Sequence, residues 1–345
     1  MTNGSGARAW RGALALTVGV LLAGCGVATP PGSSPGASGA PGASAATAAY
    51  PYTPPATPTI MPSGAYDKPS EGGPTLGPTA GGPLTGKVIV VDPGHNGAFN
   101  PAYHNARVKT AIGTLKCMET GTESDETPAF GEHELNWQVS ERVVTRLLAE
   151  GATVILTRPD DEGVGPCNNE RAEIANRAKA DFMISIHGDG ERMGRNGVAD
   201  PQGFHVQLEK EVVGGAPLYD RSLAAAETMI RQLTAMTDEP LTNYVPRKPA
   251  GIWQRNGELA VLAGLKYTPA VLVEVGNMKN PANLARLKAP ATQDALAAAM
   301  VAAIEDTLLK PEFQTPTSKA TPTASPSGAD APSSAAPSSA SGVTP

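Results

Sequence analysis

The segment KVIVVDPGH at residues 87–95 decides how the chain begins to fold. Its first five residues form a short, mostly β-branched apolar run, which predicts a buried strand. Asp92, Pro93 and Gly94 then break the run, because proline and glycine interrupt regular structure, and His95 follows. The segment therefore predicts a buried strand with a sharp turn at its carboxyl end.

Similar apolar runs recur downstream and alternate with helical patterns. Further strands are predicted at 152–156, 182–186, 203–208 and 270–275, the 203–208 strand as an edge or half-exposed one, and helices at 132–150, about 168–179, 218–236 and 292–309. Residues 98–131 are predicted to be a long loop with a hairpin across 111–118, and residues 238–257 to be irregular. This alternation predicts one α/β domain with a mostly parallel mixed sheet flanked by helices.

The composition is uneven along the 345 residues. Residues 26–85 hold 13 prolines, and 49 of these 60 positions are Pro, Gly, Ala, Ser or Thr; residues 311–345 hold 7 more prolines. Such segments bury too little apolar surface to offset chain entropy, so we predict a disordered tether at 26–85 and a disordered tail at 311–345. The remaining 86–310 is long enough for one well-buried domain. A net charge of −6 without a basic run argues against a nucleic-acid partner.

The N-terminus reads as an export signal. Two arginines, Arg8 and Arg11, precede an apolar run at 13–23, which is too short to span a bilayer. The tetrapeptide Leu-Ala-Gly-Cys at 22–25 resembles the lipobox of bacterial lipoproteins. That resemblance implies a signal peptide at 1–25, a lipid on Cys25 and a place on the outer face of the cell membrane, facing the wall. The alternative is an ordinary cleavable signal in which Cys25 is incidental.

The other two cysteines are Cys117 and Cys167. Leftover cysteines of an exported protein meet an oxidising compartment, so we predict a disulfide between them. A thiolate ligand or nucleophile is the competing interpretation, and the absence of a CxxC spacing weighs against it.

Three predicted strands end in polar groups that packing would not select: His95, His187 and Glu274. Sites in open α/β sheets form at the carboxyl ends of strands, so these side chains can converge on one crevice, within reach of Glu132 at the start of a helix. Two imidazoles and a carboxylate are a catalytic zinc set, and a second carboxylate beside it would be a general base.

Each residue also has a plainer interpretation. A histidine at a strand end is commonly a hydrogen-bonded structural residue, and Glu132 would complement a helix N-terminus. Glu274 is the hardest to explain in this way, because an unpaired ionised carboxylate inside an apolar strand is costly to bury. Spacing alone leaves the question open.

Five segments answer much of the question whether these residues bind a metal. They are 91–96 (VDPGHN), 132–136 (EHELN), 171–176 (RAEIAN), 185–187 (SIH) and 271–277 (VLVEVGN). Together and in this order they resemble the zinc-dependent N-acetylmuramoyl-L-alanine amidases of the amidase-3 family, here in a lipoprotein form. The resemblance implies one Zn²⁺ per chain, bound by His95, Glu132 and His187. It also implies that Glu274 is the general base toward water activated by the metal.

By the same resemblance, the substrate is peptidoglycan, cut between N-acetylmuramic acid and the L-alanine of the stem peptide. We expect a monomer tethered to the membrane. Two alternatives remain: a zinc peptidase or carboxypeptidase acting within the stem peptide, and a non-catalytic lipoprotein that binds wall fragments.

Several residues compete with this assignment or stay open beside it. Glu134 competes with Glu132 for the metal, and His104 and His205 are rival imidazoles, whereas His133 reads as an exposed neighbour. Asp92 can orient a metal-binding histidine or form the turn before Pro93. Arg171 can bind a substrate carboxylate or form a structural ion pair.

Overall fold

A computed structural model describes residues 71–192, 194, 197–245 and 249–314 of the chain. The predicted signal peptide, Cys25, most of the predicted tether and most of the tail lie outside these described residues. Among the described residues, no helix combines the length and the apolar character needed to cross a bilayer.

Seven strands form one mixed sheet in the order β1-β5-β2-β6-β9-β7-β8. Their bounds are β1 Thr75–Leu76, β2 Val88–Pro93, β5 Thr153–Leu156, β6 Phe182–Asp189, β7 His205–Glu209, β8 Ile252–Arg255 and β9 Ala270–Asn277. The central strands β5, β2, β6 and β9 run parallel, β1 is antiparallel to β5, and β7 is antiparallel to β9 but parallel to β8. The predicted fold class, an α/β domain with a mostly parallel mixed sheet, is confirmed.

Helices cover both faces of this sheet. Their bounds are α1 Pro101–His104, α2 Glu132–Ala149, α3 Asn168–Ala178, α4 Gly215–Met236, α5 Ala260–Ala263, α6 Pro281–Leu287, α7 Pro290–Leu308 and α8 Pro311–Gln314. The larger core cluster joins alternate strand residues to α2, α4 and α7, and the smaller one joins the opposite strand residues to α3 and α5. Burial of these apolar side chains holds the three layers together.

The loop between β2 and α2 contains more structure than predicted. It holds the short helix α1 and a hairpin of β3 Arg107–Thr110 and β4 Gly113–Lys116, so the hairpin starts four residues earlier than the predicted 111–118. This loop also carries the predicted disulfide, because Cys117 is bonded to Cys167 at the start of α3.

Two strand predictions need correction. The 203–208 segment is predicted to be an edge or half-exposed strand, yet β7 pairs on both sides and all its residues are buried. The edge is β8, inside the region predicted to be irregular, where Ile252–Arg255 is too short and too mixed in polarity to show a period.

The helix after Cys167 begins at Asn168 itself, with Cys167 in the capping position that was predicted for Asn168 or Asn169.

The folded region extends past both predicted limits, 86 and 310. Strand β1 pairs with β5, and Leu84 is fully buried in the larger core. At the other end, Phe313 of α8 is buried in the same core. Single apolar residues within Pro-, Gly- and Thr-rich sequence carry this packing, so composition could not reveal it.

Candidate metal centre

Three side chains from distant parts of the chain meet in one cluster: His95, Glu132 and His187. Each offers a ligand atom, and these atoms all lie within 4.8 Å of one another. Glu132 Oε1 is 3.0 Å from His95 Nε2 and 3.0 Å from His187 Nδ1. The cluster therefore presents two ring nitrogens and one carboxylate oxygen to a common point.

The fold explains this convergence. β2 and β6 are parallel neighbours, so the turn that carries His95 and the end of β6 that carries His187 lie at the same edge of the sheet. α2 begins with Glu132 at that edge. The predicted strand stopped at Ile186, but β6 continues to Asp189 and places His187 on a fixed backbone.

His95 adopts an uncommon backbone conformation, with φ at 62° in the left-handed region. A residue without glycine's freedom stays there only when its surroundings hold it. Arg171 does so, because its Nη2 donates to the His95 carbonyl at 2.8 Å. This turn aims the imidazole at Glu132 rather than along the strand.

Hydrogen bonds outside the cluster set the orientation of the ligand atoms. His95 Nδ1 lies 3.0 Å from the Glu119 carbonyl, which can only accept, so Nδ1 carries the proton and Nε2 keeps its lone pair. The backbone N–H of Thr122 donates to Glu132 Oε2 at 2.8 Å, and that of Gly188 donates to Oε1 at 3.2 Å. The carboxylate is thus fixed by backbone on both oxygens.

The donor set fits a zinc ion. Burial alone would raise the pKa of Glu132, but the adjoining imidazoles of His95 and His187 lower that pKa below its usual range, so the carboxylate is ionised. An ionised carboxylate with two imidazole nitrogens is the ligand chemistry of catalytic zinc, which keeps a further coordination position open.

Two glycines beside the cluster have no room for a side chain. A Cβ on Gly94 would lie 2.3–2.6 Å from atoms of the His187 ring, and a Cβ on Gly121 would lie 2.9 Å from both Glu132 Oε2 and the His95 ring. Glycine at these two positions allows the backbone to approach the ligand side chains closely.

Glu274 lies beside the cluster near the carboxyl end of β9, where it is paired in register with His187 of β6. It lines a cleft of about 460 Å³ together with all three residues of the cluster. Burial, and then the nearby carboxylates of Asp189 and Glu132, raise the pKa of Glu274 well above its usual value. A buried carboxyl group with a raised pKa that faces a cleft is suited to proton transfer.

Arg171 does not face this cleft. Its side chain is 2% exposed, and its guanidinium donates to Pro166 O, Asp92 Oδ1, Pro93 O, His95 O and Asn96 Oδ1. These bonds match the five N–H groups that a guanidinium has, which leaves none for a substrate carboxylate. The structure therefore supports the structural alternative for Arg171.

Asp92 has neither of the roles considered from the sequence. Its carboxylate accepts from Thr157 Oγ1 at 2.5 Å, Ser185 Oγ at 2.6 Å and Arg171 Nη1 at 2.7 Å. It contacts no histidine ring by a hydrogen bond in the described residues. Asp92 instead ties β2 to β6, to the end of β5 and to α3 directly behind the cluster.

The rival ligands lie elsewhere. Glu134 accepts from Gln138 on the α2 surface, and His133 pairs with Asp161 at 3.0 Å, so His133 is less free than the exposed neighbour predicted. His104 is buried in α1, with its Nδ1 2.8 Å from Asn100 O.

Sequence reasoning missed a polar group behind Glu274. His205 and Gln207 of β7 face the same side of the sheet as Glu274, and the Tyr244 hydroxyl donates to Asp189 Oδ2 at 2.9 Å nearby. The signal was present in the alternation of His205, Gln207 and Glu209 along an otherwise apolar strand, which indicates a polar strand face. His205 therefore belongs to this polar face, beside Glu274, rather than to the metal-ligand set for which it is a rival candidate in the sequence.

Comparisons with known proteins agree with this geometry. Residues 89–306 match the amidase-3 family model, described as N-acetylmuramoyl-L-alanine amidase. An N-acetylmuramoyl-L-alanine amidase of Mycobacterium tuberculosis, Rv3717, is 35% identical over 219 residues, which are 63% of this chain and 85% of that protein.

Solved structures show the same likeness. The apo form of the amidase Ami1 from Mycobacterium abscessus is 34% identical with a TM-score of 0.59, covering 65% of this chain and all of that one. Ami1 from Mycobacterium smegmatis is 35% identical with a TM-score of 0.59, covering 65% of this chain and 98% of that one. The family model, the sequence relative and the solved structures are thus all amidases of the same kind.

Proposed function

This chain belongs to the amidase-3 family of N-acetylmuramoyl-L-alanine amidases, and on that premise we propose that it is a zinc-dependent peptidoglycan hydrolase with Glu274 as general base. The bond cut joins the lactyl group of N-acetylmuramic acid to the L-alanine of the stem peptide. The observation that supports this most is the His95–Glu132–His187 cluster in the same cleft as Glu274.

One zinc ion held by His95, Glu132 and His187 would supply Lewis acidity, which polarises an amide carbonyl and acidifies water. The protein's own part is to hold and move protons. Glu274 takes a proton from the attacking water and returns it to the nitrogen of the departing L-alanine, so the amine leaves neutral. The buried position of Glu274 favours this exchange, because burial raises the pKa of its carboxyl group. That pKa is then closer to the pKa values of the water and the amine with which Glu274 exchanges the proton.

The two imidazoles that would bind the metal are themselves held in place by different contacts. His95 is fixed through Nδ1 to the Glu119 carbonyl and His187 through its place in β6. Their rigidity keeps the ligand atoms in place when the substrate enters, which lowers the cost of reaching the reactive geometry.

The test is digestion of purified peptidoglycan by the chain loaded with zinc, followed by mass spectrometry. Amino-terminal L-alanine on released stem peptides, with muramic acid left carrying a free lactyl carboxylate, supports the amidase. Free amino acids or shortened stem peptides would identify a peptidase or carboxypeptidase instead. Bound but uncut fragments would identify a non-catalytic binding protein.

Variants separate metal binding from proton transfer. We expect Glu274→Gln to keep stoichiometric zinc and to lose turnover by at least about 100-fold, as expected when a general base is removed. His187→Ala should lose zinc and activity together. Full turnover in Glu274→Gln would overturn the role of Glu274.

We propose that the enzyme works outside the cell, on the outer face of the membrane, anchored through a lipid on Cys25. The Leu-Ala-Gly-Cys segment supports this, and two or more acyl chains would give stable anchoring. Membrane fractions should contain the parent chain but not Cys25→Ala. Parent chain recovered wholly in the soluble fraction would contradict a lipid anchor.

A further inference from the structure

Gln207 of β7 reaches across the sheet to Glu274 of β9. In the β7–β9 register, His205 lies opposite Glu274 and Gln207 lies opposite Leu272, so Gln207 is the diagonal neighbour of Glu274 on the same face. Its Nε2 donates to Glu274 Oε1 at 2.9 Å. Gln207 is 8% exposed and lines the cleft beside the cluster.

The two oxygens of Glu274 differ in their surroundings. Oε1 is held by the Gln207 amide, whereas Oε2 is buried and has no hydrogen-bond partner among the described residues. A buried carboxylate oxygen without a partner is costly unless another group satisfies it. Oε2 is therefore the carboxylate oxygen that keeps a free lone pair for a proton.

The carboxylate of Glu274 fixes which end of the Gln207 amide faces it. Gln207 Nε2 is also 3.4 Å from His205 Nε2, and His205 is fully buried, with its ring edge-on to Tyr244 at 5.8 Å. A reversed amide would place its oxygen against a carboxylate oxygen, which would repel it, so the NH₂ group faces the Glu274 carboxylate.

We propose that Gln207 is a positioning residue, which holds Glu274 by Oε1 and leaves Oε2 as the oxygen that exchanges the proton. The proposal rests on the amidase function proposed above and assigns a specific part to a residue outside the metal cluster. Gln207 contacts neither metal nor substrate in this role, because it acts through Glu274.

The experiment compares Gln207→Met with Gln293→Met as a matched control. Met has nearly the same length as Gln but no donor. Gln293 of α7 is 1% exposed, and its Nε2 also donates to two groups, Gln138 Oε1 and Leu287 O, but it does not line the cleft. Both changes remove a buried amide, so they carry a similar structural penalty.

For Gln207→Met we expect kcat for peptidoglycan fragments to fall about 10- to 100-fold, with KM within about threefold and zinc content unchanged. Gln293→Met should keep the parent kcat. In a Glu274→Gln background, Gln207→Met should cause no further loss, because its effect passes through the carboxylate. An equal loss in both backgrounds, or an unchanged kcat, would overturn the proposal.

A crystal structure of Gln207→Met provides a readout that needs no activity. We expect the Glu274 carboxylate to occupy more than one orientation, whereas in the parent it has one. An unchanged single orientation would overturn the proposal. These results are distinguishable from failure of the proposed function, which would show as a parent enzyme that binds zinc but releases no L-alanine termini.

Discussion

Gly94 separates the buried strand β2 from the turn that carries His95, and its missing side chain leaves the space that the His187 ring occupies. Any larger residue there must displace a ligand, because ring atoms of His187 lie 2.3–2.6 Å from the position of a Cβ. Glycine at this position is therefore required by the His95–Glu132–His187 cluster rather than by the strand.

We expect Gly94→Ala to weaken zinc binding by at least about tenfold, a loss typical of disturbing what orients a ligand. Chelator competition with the purified protein measures this. Gly77→Ala is the matched control, since a Cβ at Gly77 would meet nothing within 4 Å. Equal zinc affinity in Gly94→Ala and Gly77→Ala would contradict the packing argument.

His205 contributes acid sensitivity to the stability of the fold. Burial, and then the charge of Arg255, lower the pKa of His205 to about 3, whereas an unfolded histidine titrates near about 6.5. Below about 6.5 the unfolded chain binds a proton that the folded chain refuses. The free energy of unfolding is therefore at its full value above about pH 6.5 and falls as the pH decreases from there toward about 3.

Urea unfolding at pH 7 and pH 5 tests this at one residue. Between these values the parent should lose about 2 kcal/mol more unfolding free energy than His205→Asn, which has no proton to bind in that range. The ionisable groups facing His205 are Asp189, Arg255, Glu274 and Tyr244, and they remain in both proteins. If the unfolding free energies of the parent and of His205→Asn changed equally between pH 7 and pH 5, His205 would take up a proton in the folded state as well.

At the scale of elements, α3 supports the turn that carries His95. Arg171 in its first turns is joined to Asp92 of β2, to the His95 carbonyl and to Asn96. One guanidinium thereby couples a helix on one face of the sheet to the strand and turn that form the metal centre. Removing it leaves the Asp92 charge buried with only two hydroxyl donors.

We expect Arg171→Met to lower the unfolding free energy by about 3–5 kcal/mol, the usual cost of breaking a buried ion pair on one side. Urea denaturation measures this loss. Arg177→Met is the control in the same helix, because its pair with Glu170 is largely exposed and should cost no more than about 1 kcal/mol. A loss below about 1 kcal/mol for Arg171→Met would mean that the buried hydrogen-bond network of Arg171 adds little to the unfolding free energy.

The elements that the sequence predicted best are those with a strong period or a strong break. β2, β6 and β9 are continuous apolar runs ended by polar residues, so their existence and the polar groups at their ends could be read directly. The strand β8 could not, because Ile252–Arg255 alternates weakly and gains its place only by pairing with β7. Tertiary pairing, which a local pattern does not contain, decided that strand.

The same reasoning explains what was predictable in the site. His95, Glu132, His187 and Glu274 stand out because each lies at or near the end of a predicted strand or opens a predicted helix, and a family resemblance reinforced them. The alternation along β7 marks Gln207 as part of a polar strand face, but its partner could not be predicted, because Gln207 contacts Glu274 diagonally across two strands, 67 residues away in sequence. Such a contact depends on register, which the chain sets only after folding.

At the scale of the whole molecule, one covalent link holds the long loop to the body of the domain. Cys117 is bonded to Cys167, and two residues beyond Cys117 the Glu119 carbonyl accepts the proton of His95 Nδ1. The link closes a separation of 50 residues. It therefore constrains the unfolded chain and, in the folded chain, the outer partner of a metal ligand.

We expect the double variant Cys117→Ser, Cys167→Ser to lose about 4 kcal/mol of unfolding free energy from the chain-entropy term. Its zinc affinity should fall about 10-fold or more, because the Glu119 carbonyl is less firmly placed. Calorimetry and chelator competition measure the two effects. Unchanged zinc affinity would show that the loop holds Glu119 without the bond.

This link has a consequence for the cell that makes the enzyme. Thiols stay reduced in the cytosol, so the newly made polypeptide would hold its zinc weakly there and acquire full affinity only after secretion into an oxidising space. A hydrolase directed at its producer's own envelope would thus mature at the place where it works. Redox chemistry would then serve as a maturation step.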